Sequence, residues 1–235
     1  MITNEQKQVM LSGILGDGHL IKNGGGAMSF SCQHKEYMEF KKSLLGDLAT
    51  DVKVVNNNGY KKGTIYTLRC KSNQYGKFLL KCGFDDIMEE MDDLGIGMWL
   101  VDDGSRHKKD NFYNINTHAI DRNIEEEILI PHLNKRNIFP KVLTETKKDG
   151  RIFSYLYISK WQGAMELSRM IRNLNLKCYD YKVAPIELEE AYFLYKDLEE
   201  FKSKTTQGKT NFIKKYLNIG YKDFMHKNIT SIDKK

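Results

Sequence analysis

The chain contains the same kind of segment twice. Met10-Leu-Ser-Gly-Ile-Leu-Gly-Asp-Gly18 and Ile96-Gly-Met-Trp-Leu-Val-Asp-Asp-Gly104 are each an apolar, small-residue stretch that closes on Asp-Gly. The two final aspartates, Asp17 and Asp103, stand 86 residues apart. The residues downstream of each copy are also alike. After Asp17 the pattern predicts a strand start at 19–22 and an alternating strand over 27–33. A helix over 35–48, strands near 52–56 and 63–71, and a helix at 73–82 complete that copy. After Asp103 the same order recurs, with strands at 105–108 and 112–118, a helix at 121–136, strands at 140–147 and 151–158, and a helix at 160–175. A repeated element order commits a chain to two similar units, each one supersecondary assembly.

Ser12 and Gly16 are four residues apart and share one face of the first motif helix, with Gly13 beside it; small residues there let a second helix backbone come close. Two such helices side by side deliver Asp17 and Asp103 to nearly one point. Gly18 and Gly104 suit the left-handed residue that often ends a helix. A carboxylate at a helix C-terminus opposes the helix dipole, and two meeting there repel each other. A hard divalent cation such as Mg²⁺, which takes carboxylate oxygens, removes that conflict. Aligning the terminal glycines sets Asp103 opposite Asp17, and leaves Asp102 as the alternative in the second copy.

These two segments resemble the motif of the LAGLIDADG homing endonucleases in their single-chain, two-motif form. The second copy is similar to the divergent version in which a double Asp precedes Gly. The resemblance implies an α+β fold, a duplicated αββαββα repeat with pseudo-twofold symmetry, whose sheets form a saddle over DNA. The repeats fall at residues 1–83 and 84–185, and a helical basic extension occupies 186–235. Also implied is cleavage of both strands at one long pseudo-palindromic target, with Mg²⁺ or another divalent ion such as Mn²⁺ held by Asp17 and Asp103. The family places a basic residue near each metal site late in each repeat. Lys182 occupies that place in the second half, and Lys81, with Lys77 behind it, in the first. Two other functions use this scaffold: an intron maturase, whose partner is intron RNA, and a DNA-binding regulator that no longer cuts.

Reading double-stranded DNA in the major groove takes polar side chains on the open faces of the sheets. Alternation nominates Ser29, Ser31 and Gln33, then Thr67, Arg69 and Lys71, with Lys61 and Lys62 at the hairpin. In the second half it nominates Arg106, Asn114, Asn116 and His118, then Thr144, Thr146 and Arg151. Lys108, Lys109, Lys147 and Lys148 suit phosphate contacts at loop tips.

Charge supports a nucleic-acid partner only indirectly. The net +6 comes from residues 202–235, where nine lysines face two acids; the first 201 residues are close to neutral. Pro185 is followed by an amphipathic helix over 186–201, a linker at 204–209 and short helices over 210–218 and 221–227. No apolar run reaches the roughly 18–20 residues of a membrane span, and the opening residues lack the pattern of a signal peptide. Four scattered cysteines form no CxxC pair, which argues against a zinc site or disulfide framework. The expectation is a reduced, intracellular, monomeric protein. Its histidines show no metal-ligand spacing.

Overall fold

The structure, a computed structural model, describes residues 2–57, 63–107, 112–158 and 161–217. The first repeat runs α1 (Asn4–Leu15), β1 (Gly18–Ile21), β2 (Ala27–Cys32), α2 (Lys35–Leu45), β3 (Lys53–Asn57), β4 (Gly63–Cys70) and α3 (Gln74–Leu79). Then come α4 (Phe84–Glu90) and α5 (Asp93–Asp103), the second motif helix. The next two strands are β5 (Gly104–His107) and β6 (Phe112–Asn116). A helical run joins α6 (Arg122–Ile124), a π-helical turn (Glu125–Leu129) and α7 (Ile130–Asn134). Beyond it are β7 (Lys141–Thr146), β8 (Ile152–Ile158), α8 (Trp161–Asn173), a 3₁₀ stretch (Lys177–Lys182), α9 (Ile186–Tyr195), α10 (Glu199–Lys202) and α11 (Thr206–Leu217). The two antiparallel sheets have equivalent orders, β1-β2-β4-β3 and β5-β6-β8-β7. The duplication read from the motifs is therefore a duplication of topology.

The chain forms two compact units. One comprises Met1–Asp103 and Met170–Asp180, the other Gly104–Arg169 and Tyr181–Lys235. Both motif helices belong to the first. Its core includes Met10, Met28, Phe30, Leu68 and Trp99, all essentially inaccessible to solvent. In the second unit Tyr113, Ile115, Leu156 and Ile158 pack from the sheet, with Leu129, Leu133 and Leu167 from the helices. The buried Glu125 of the π-helical turn accepts hydroxyl hydrogen bonds from Thr117 and from Ser154, the latter at 2.8 Å. Those bonds tie the helical run to the sheet. The extension is fixed to α8: Ser168 donates to Glu189 at 2.9 Å and Tyr192 donates to Glu166 at 3.1 Å.

Local chemistry explains where α1 and α5 begin. Thr3 Oγ1 accepts the Gln6 N–H at 3.2 Å, and Gln6 Oε1 accepts the Thr3 N–H at 2.9 Å, a reciprocal cap. At α5 the Asp92 carboxylate accepts the N–H groups of Leu94 and Gly95 at 2.9 and 3.1 Å. The buried Gln8 of α1 joins the two helices: Oε1 accepts the Asp92 N–H at 3.0 Å and Nε2 donates to the Glu90 carbonyl at 2.9 Å. Gln8 thus meets the start of α5, and Gly16 meets Asp102 at its end. The helices run in the same direction, side by side.

Three local expectations are corrected. Gly18 and Gly104 are absent from the positive-φ residues; Gly18 is required by space instead, since a Cβ there would lie 2.6 Å from the Gly13 backbone. The helix expected over 186–201 is interrupted after Tyr195, and α10 resumes at Glu199. The linker expected at 204–209 contains the start of α11, where Thr205 Oγ1 accepts the Gly208 N–H at 3.1 Å. Residues 221–227 lie outside the described residues.

The close approach of α1 and α5 carries a prediction. A Cβ at Gly95 would stand 2.4 Å from Gln8 Oε1, an atom held by its own hydrogen bond. Gly95→Ala is expected to cost about 1–3 kcal/mol through overpacking. Thermal denaturation should show the melting temperature falling by several degrees.

Candidate active site and sheet faces

The motif helices converge at their C-termini. α1 ends with the Gly16 N–H donating to the Ser12 carbonyl at 2.9 Å. A Cβ at Gly16 would stand 2.7 Å from Asp102 Cβ and 2.8 Å from Asp102 Oδ2. Only glycine lets this end of α1 reach the carboxylate. Asp17 directly follows Gly16 and is exposed, while Asp103 directly follows Asp102 and is half-buried. The carboxylates therefore gather at the adjoining ends of two parallel helices, where backbone carbonyls add partial negative charge.

Asp102 has a buried cation beside it. Lys41 Nζ lies 3.0 Å from Asp102 Oδ2 and 3.3 Å from Oδ1, with side-chain exposures of 0% and 1% for the pair. The ammonium also sits 4.3 Å from the Tyr37 ring centroid and 4.8 Å from that of Phe30. Tyr37 in turn donates to the Met98 carbonyl of α5 at 3.1 Å. Removing one partner of such a buried pair leaves a lone buried charge, a loss of about 3–5 kcal/mol. Neighbouring groups register the convergence. Burial raises the Cys32 thiol; the His34 backbone hydrogen bond and Lys41 oppose that rise, and the charges of Asp102 and Asp17 add to it. Burial, and then the Asp102 charge, holds the Tyr37 hydroxyl far above its ordinary value.

The donor set fits a hard divalent cation. Mg²⁺ is commonly bound through one or two carboxylates, with waters and substrate phosphates completing its shell. Asp17 and Asp103 would supply those carboxylates. Among the described residues no group of three or more His, Cys, Asp or Glu is placed to hold a metal, so a bound ion would take its remaining oxygens from water and substrate.

Lys182 is buried, and its Nζ donates to the Gly104 carbonyl at 2.6 Å. It therefore stands beside the residue that follows Asp103. Lys81 is exposed in the turn after α3, with its N–H donating to the Phe78 carbonyl at 2.9 Å. Lys77 is exposed on α3, and its Cε would lie 3.7 Å from a Cβ at Gly25.

Strand register sorts the remaining candidates. In the first sheet Ser29 pairs with His19 and Arg69, and Ser31 pairs with Thr67, which pairs with Lys53. Met28, Phe30 and Leu68 point the other way, into the core. The open face is polar, and it includes Lys53 and His19, which alternation does not nominate. Gln33 is exposed just past β2; Lys71, past β4, donates to the Asp47 carbonyl at 2.9 Å. Lys61, Lys62, Lys108 and Lys109 lie outside the described residues.

The second sheet corrects three nominations. Arg106 pairs with the buried Tyr113, and its guanidinium donates to the Val183 carbonyl at 2.6 Å, so it faces the core side. Thr144 and Thr146 pair with Ser154 and Ile152, on the side of the buried Leu156. A shift of one residue moves a side chain to the opposite face. The open face instead presents Ser105, Asn114 and Asn116, with Lys141 opposite Tyr157 and Glu145 opposite Phe153. It is also aromatic: His107 stacks on Phe112 at 4.4 Å, and Phe112 meets Tyr157 edge-on at 4.9 Å. His118 is exposed beyond β6, 4.6 Å from the Phe153 ring. Arg151 precedes β8, pairs with Asp149 at 2.7 Å and sits 5.4 Å from Phe153.

The thiols supply a check on this packing. Burial pushes Cys70 up to about 11, with the Asn73 hydrogen bond opposing. Burial first, then Glu36, pushes Cys178 up to about 12. At pH 8 the thiolate fraction of either is about one in a thousand or less. Ellman's reagent should therefore react slowly with Cys70 and Cys178 in the folded protein and rapidly with all four cysteines in denaturant. Fast reaction of Cys70 or Cys178 in the native chain would contradict the packing.

Comparison with known proteins places these features. The sequence model of the LAGLIDADG DNA endonuclease family matches residues 7–165. No curated protein matches. Among solved structures, the homing endonuclease I-WcaI bound to its DNA recognition sequence is similar at 18% identity, covering 79% of this chain and 85% of that one with a TM-score of 0.58. The N-terminal LAGLIDADG domain of DUF199/WhiA matches at 15% identity, over 74% of this chain and 87% of that one, with a TM-score of 0.49. I-DmoI in complex with DNA and Mn matches at 17% identity, over 72% and 97%, with a TM-score of 0.44.

Proposed function

The chain belongs to the LAGLIDADG DNA endonuclease family, and from that premise we propose that it is a monomeric homing endonuclease. Its substrate is one long, pseudo-palindromic site in double-stranded DNA, read by two non-identical repeats. The repeats divide at 1–83 and 84–185, with residues 186–235 as an extension. The observation that carries the reading is the parallel packing of α1 and α5, which brings two Asp-Gly ends together.

In this reading Asp17 and Asp103 hold a divalent cation, Mg²⁺ or Mn²⁺. When bound, such an ion supplies Lewis-acid stabilisation and an activated water for in-line hydrolysis of a phosphodiester. The chain's own residues do the rest. The close helix approach fixes the two carboxylates at a set separation. Lys182, by its place late in the second repeat, has the part of offsetting charge that builds on the phosphate. Lys81 takes the corresponding part in the first repeat by its place in the sequence. The open sheet faces supply base contacts through Ser29, Ser31, Gln33, Thr67, Arg69, Asn114, Asn116 and His118. Lys71 and Arg151 contact phosphates at the strand ends, as do the hairpin residues Lys61 and Lys62. Among the described residues no helix is long and apolar enough to cross a membrane.

These assignments are testable on a duplex selected from a randomised pool by binding. Asp17→Asn and Asp103→Asn should each abolish its double-strand cleavage in Mg²⁺. Each should leave affinity within a few-fold of the parent; a variant that still cuts both strands marks its residue as misassigned. Separately, Asn114→Ala and Lys141→Ala should weaken duplex binding, and Lys141→Ala should flatten its salt dependence by about one charge. Thr144→Ala, on the opposite face, should leave both unchanged. Equal effects at Lys141 and Thr144 would contradict the register.

A further inference from the structure

The ends of α1 and α5 carry three aspartates, Asp17, Asp102 and Asp103, yet a site for one divalent ion bound with substrate phosphate needs only two carboxylates from the protein. The third belongs to Asp102, which stands against Gly16 and adjoins Asp103 in sequence. Its charge is met inside the protein. Lys41 reaches both of its oxygens, at 3.0 and 3.3 Å, from α2. The ammonium is enclosed by Phe30 and Tyr37 and has no access to solvent. A lysine held this way cannot swing toward the DNA or toward another carboxylate.

We propose that Lys41 is a positioning residue that decides which of the two adjacent aspartates serves the metal. By satisfying Asp102 permanently, it withdraws that carboxylate from coordination and leaves Asp17 and Asp103 as the pair presented to a divalent cation. The inference rests on the metal-site reading and adds to it a specific job for a residue outside the two motifs.

The arrangement explains how an acidic residue is tolerated at position 102. Gly16 provides the room, so the Asp102 side chain is accommodated between the helix ends. Without Lys41 its buried charge would be left with the Tyr37 hydroxyl and no ammonium, and a cation bound by Asp17 and Asp103 would compensate it. Lys41 and Asp102 thus form a unit: either residue alone disturbs the site electrostatically, and both together are silent.

The test is a Mn²⁺ titration of the full chain followed by electron paramagnetic resonance, with melting temperature and cleavage measured alongside. Lys41→Met should melt lower and bind Mn²⁺ at least about tenfold more tightly than the parent, because a full buried charge becomes available to the ion. Added Mn²⁺ should recover part of the lost melting temperature. Asp102→Ala, which leaves the ammonium uncompensated, should shift affinity in the opposite direction by about tenfold. Lys41→Met/Asp102→Ala should return to parental Mn²⁺ affinity and cut the selected duplex. If Lys41→Met does not fold, Asp102→Ala and the double variant still decide the matter. Unchanged Mn²⁺ affinity in both single variants overturns the proposal. So does a folded, DNA-binding double variant that fails to cut, which would make Asp102 a ligand. Asp17→Asn and Asp103→Asn separate the two levels of the argument. If they leave Mn²⁺ affinity unchanged, the metal-site reading itself fails; if they lower it and the Lys41 variants do not move it, only the role of Lys41 fails.

Discussion

Two helices that end in carboxylates are held in parallel contact. Gly16 against Asp102 at one end, and Gly95 against Gln8 at the other, set a spacing that admits no added Cβ without a shift. The helix dipoles and the aspartates at the C-terminal end have the same sign, so the packing there is electrostatically unfavourable. Apolar burial along Val9, Met10, Leu11, Ile96 and Leu100 opposes that repulsion. The buried Lys41–Asp102 pair removes part of it. In the proposed reading, Asp17 and Asp103 at the same end serve a divalent cation. A site of this kind is assembled by the core rather than attached to its surface.

The two sheets share strand order but not chemistry. The first presents hydroxyls and cations on its open face, through Ser29, Ser31, Lys53, Thr67 and Arg69. The second sets a run of rings, His107, Phe112 and Tyr157, beside Asn114 and Asn116. Hydrogen-bonding faces discriminate base edges, whereas rings offer apolar contact, including to thymine methyl groups. Duplicated folds with divergent faces are expected to favour a target whose halves are related but unequal.

Much of this is legible in the sequence because it is local and periodic. The motif pair, the order of elements along the chain and the outward phase of β2 and β4 all come from spacings of two, or of three and four residues. The phase of β5 and β7 does not, for a physical reason. Lys141-Val-Leu-Thr-Glu-Thr146 has apolar residues at consecutive positions, so alternation alone supports either face, and Leu143 turns out exposed. Arg106 is misplaced likewise, since a four-residue strand offers too few positions to fix a period. Lys41 is invisible for a different reason. It sits beside Lys42 in an amphipathic helix, and only the folded chain distinguishes the one sealed against Asp102 from the one that pairs with Asp51 at 2.9 Å on the surface.

The most direct test of the account is selection by cleavage. The full chain is incubated with a randomised duplex library and Mg²⁺, and the cut ends are sequenced on both strands. The account predicts breaks in both strands at a fixed offset within one long sequence whose halves are imperfectly symmetric, and none when a chelator replaces the metal. Sequence-specific binding with both strands left intact would contradict it.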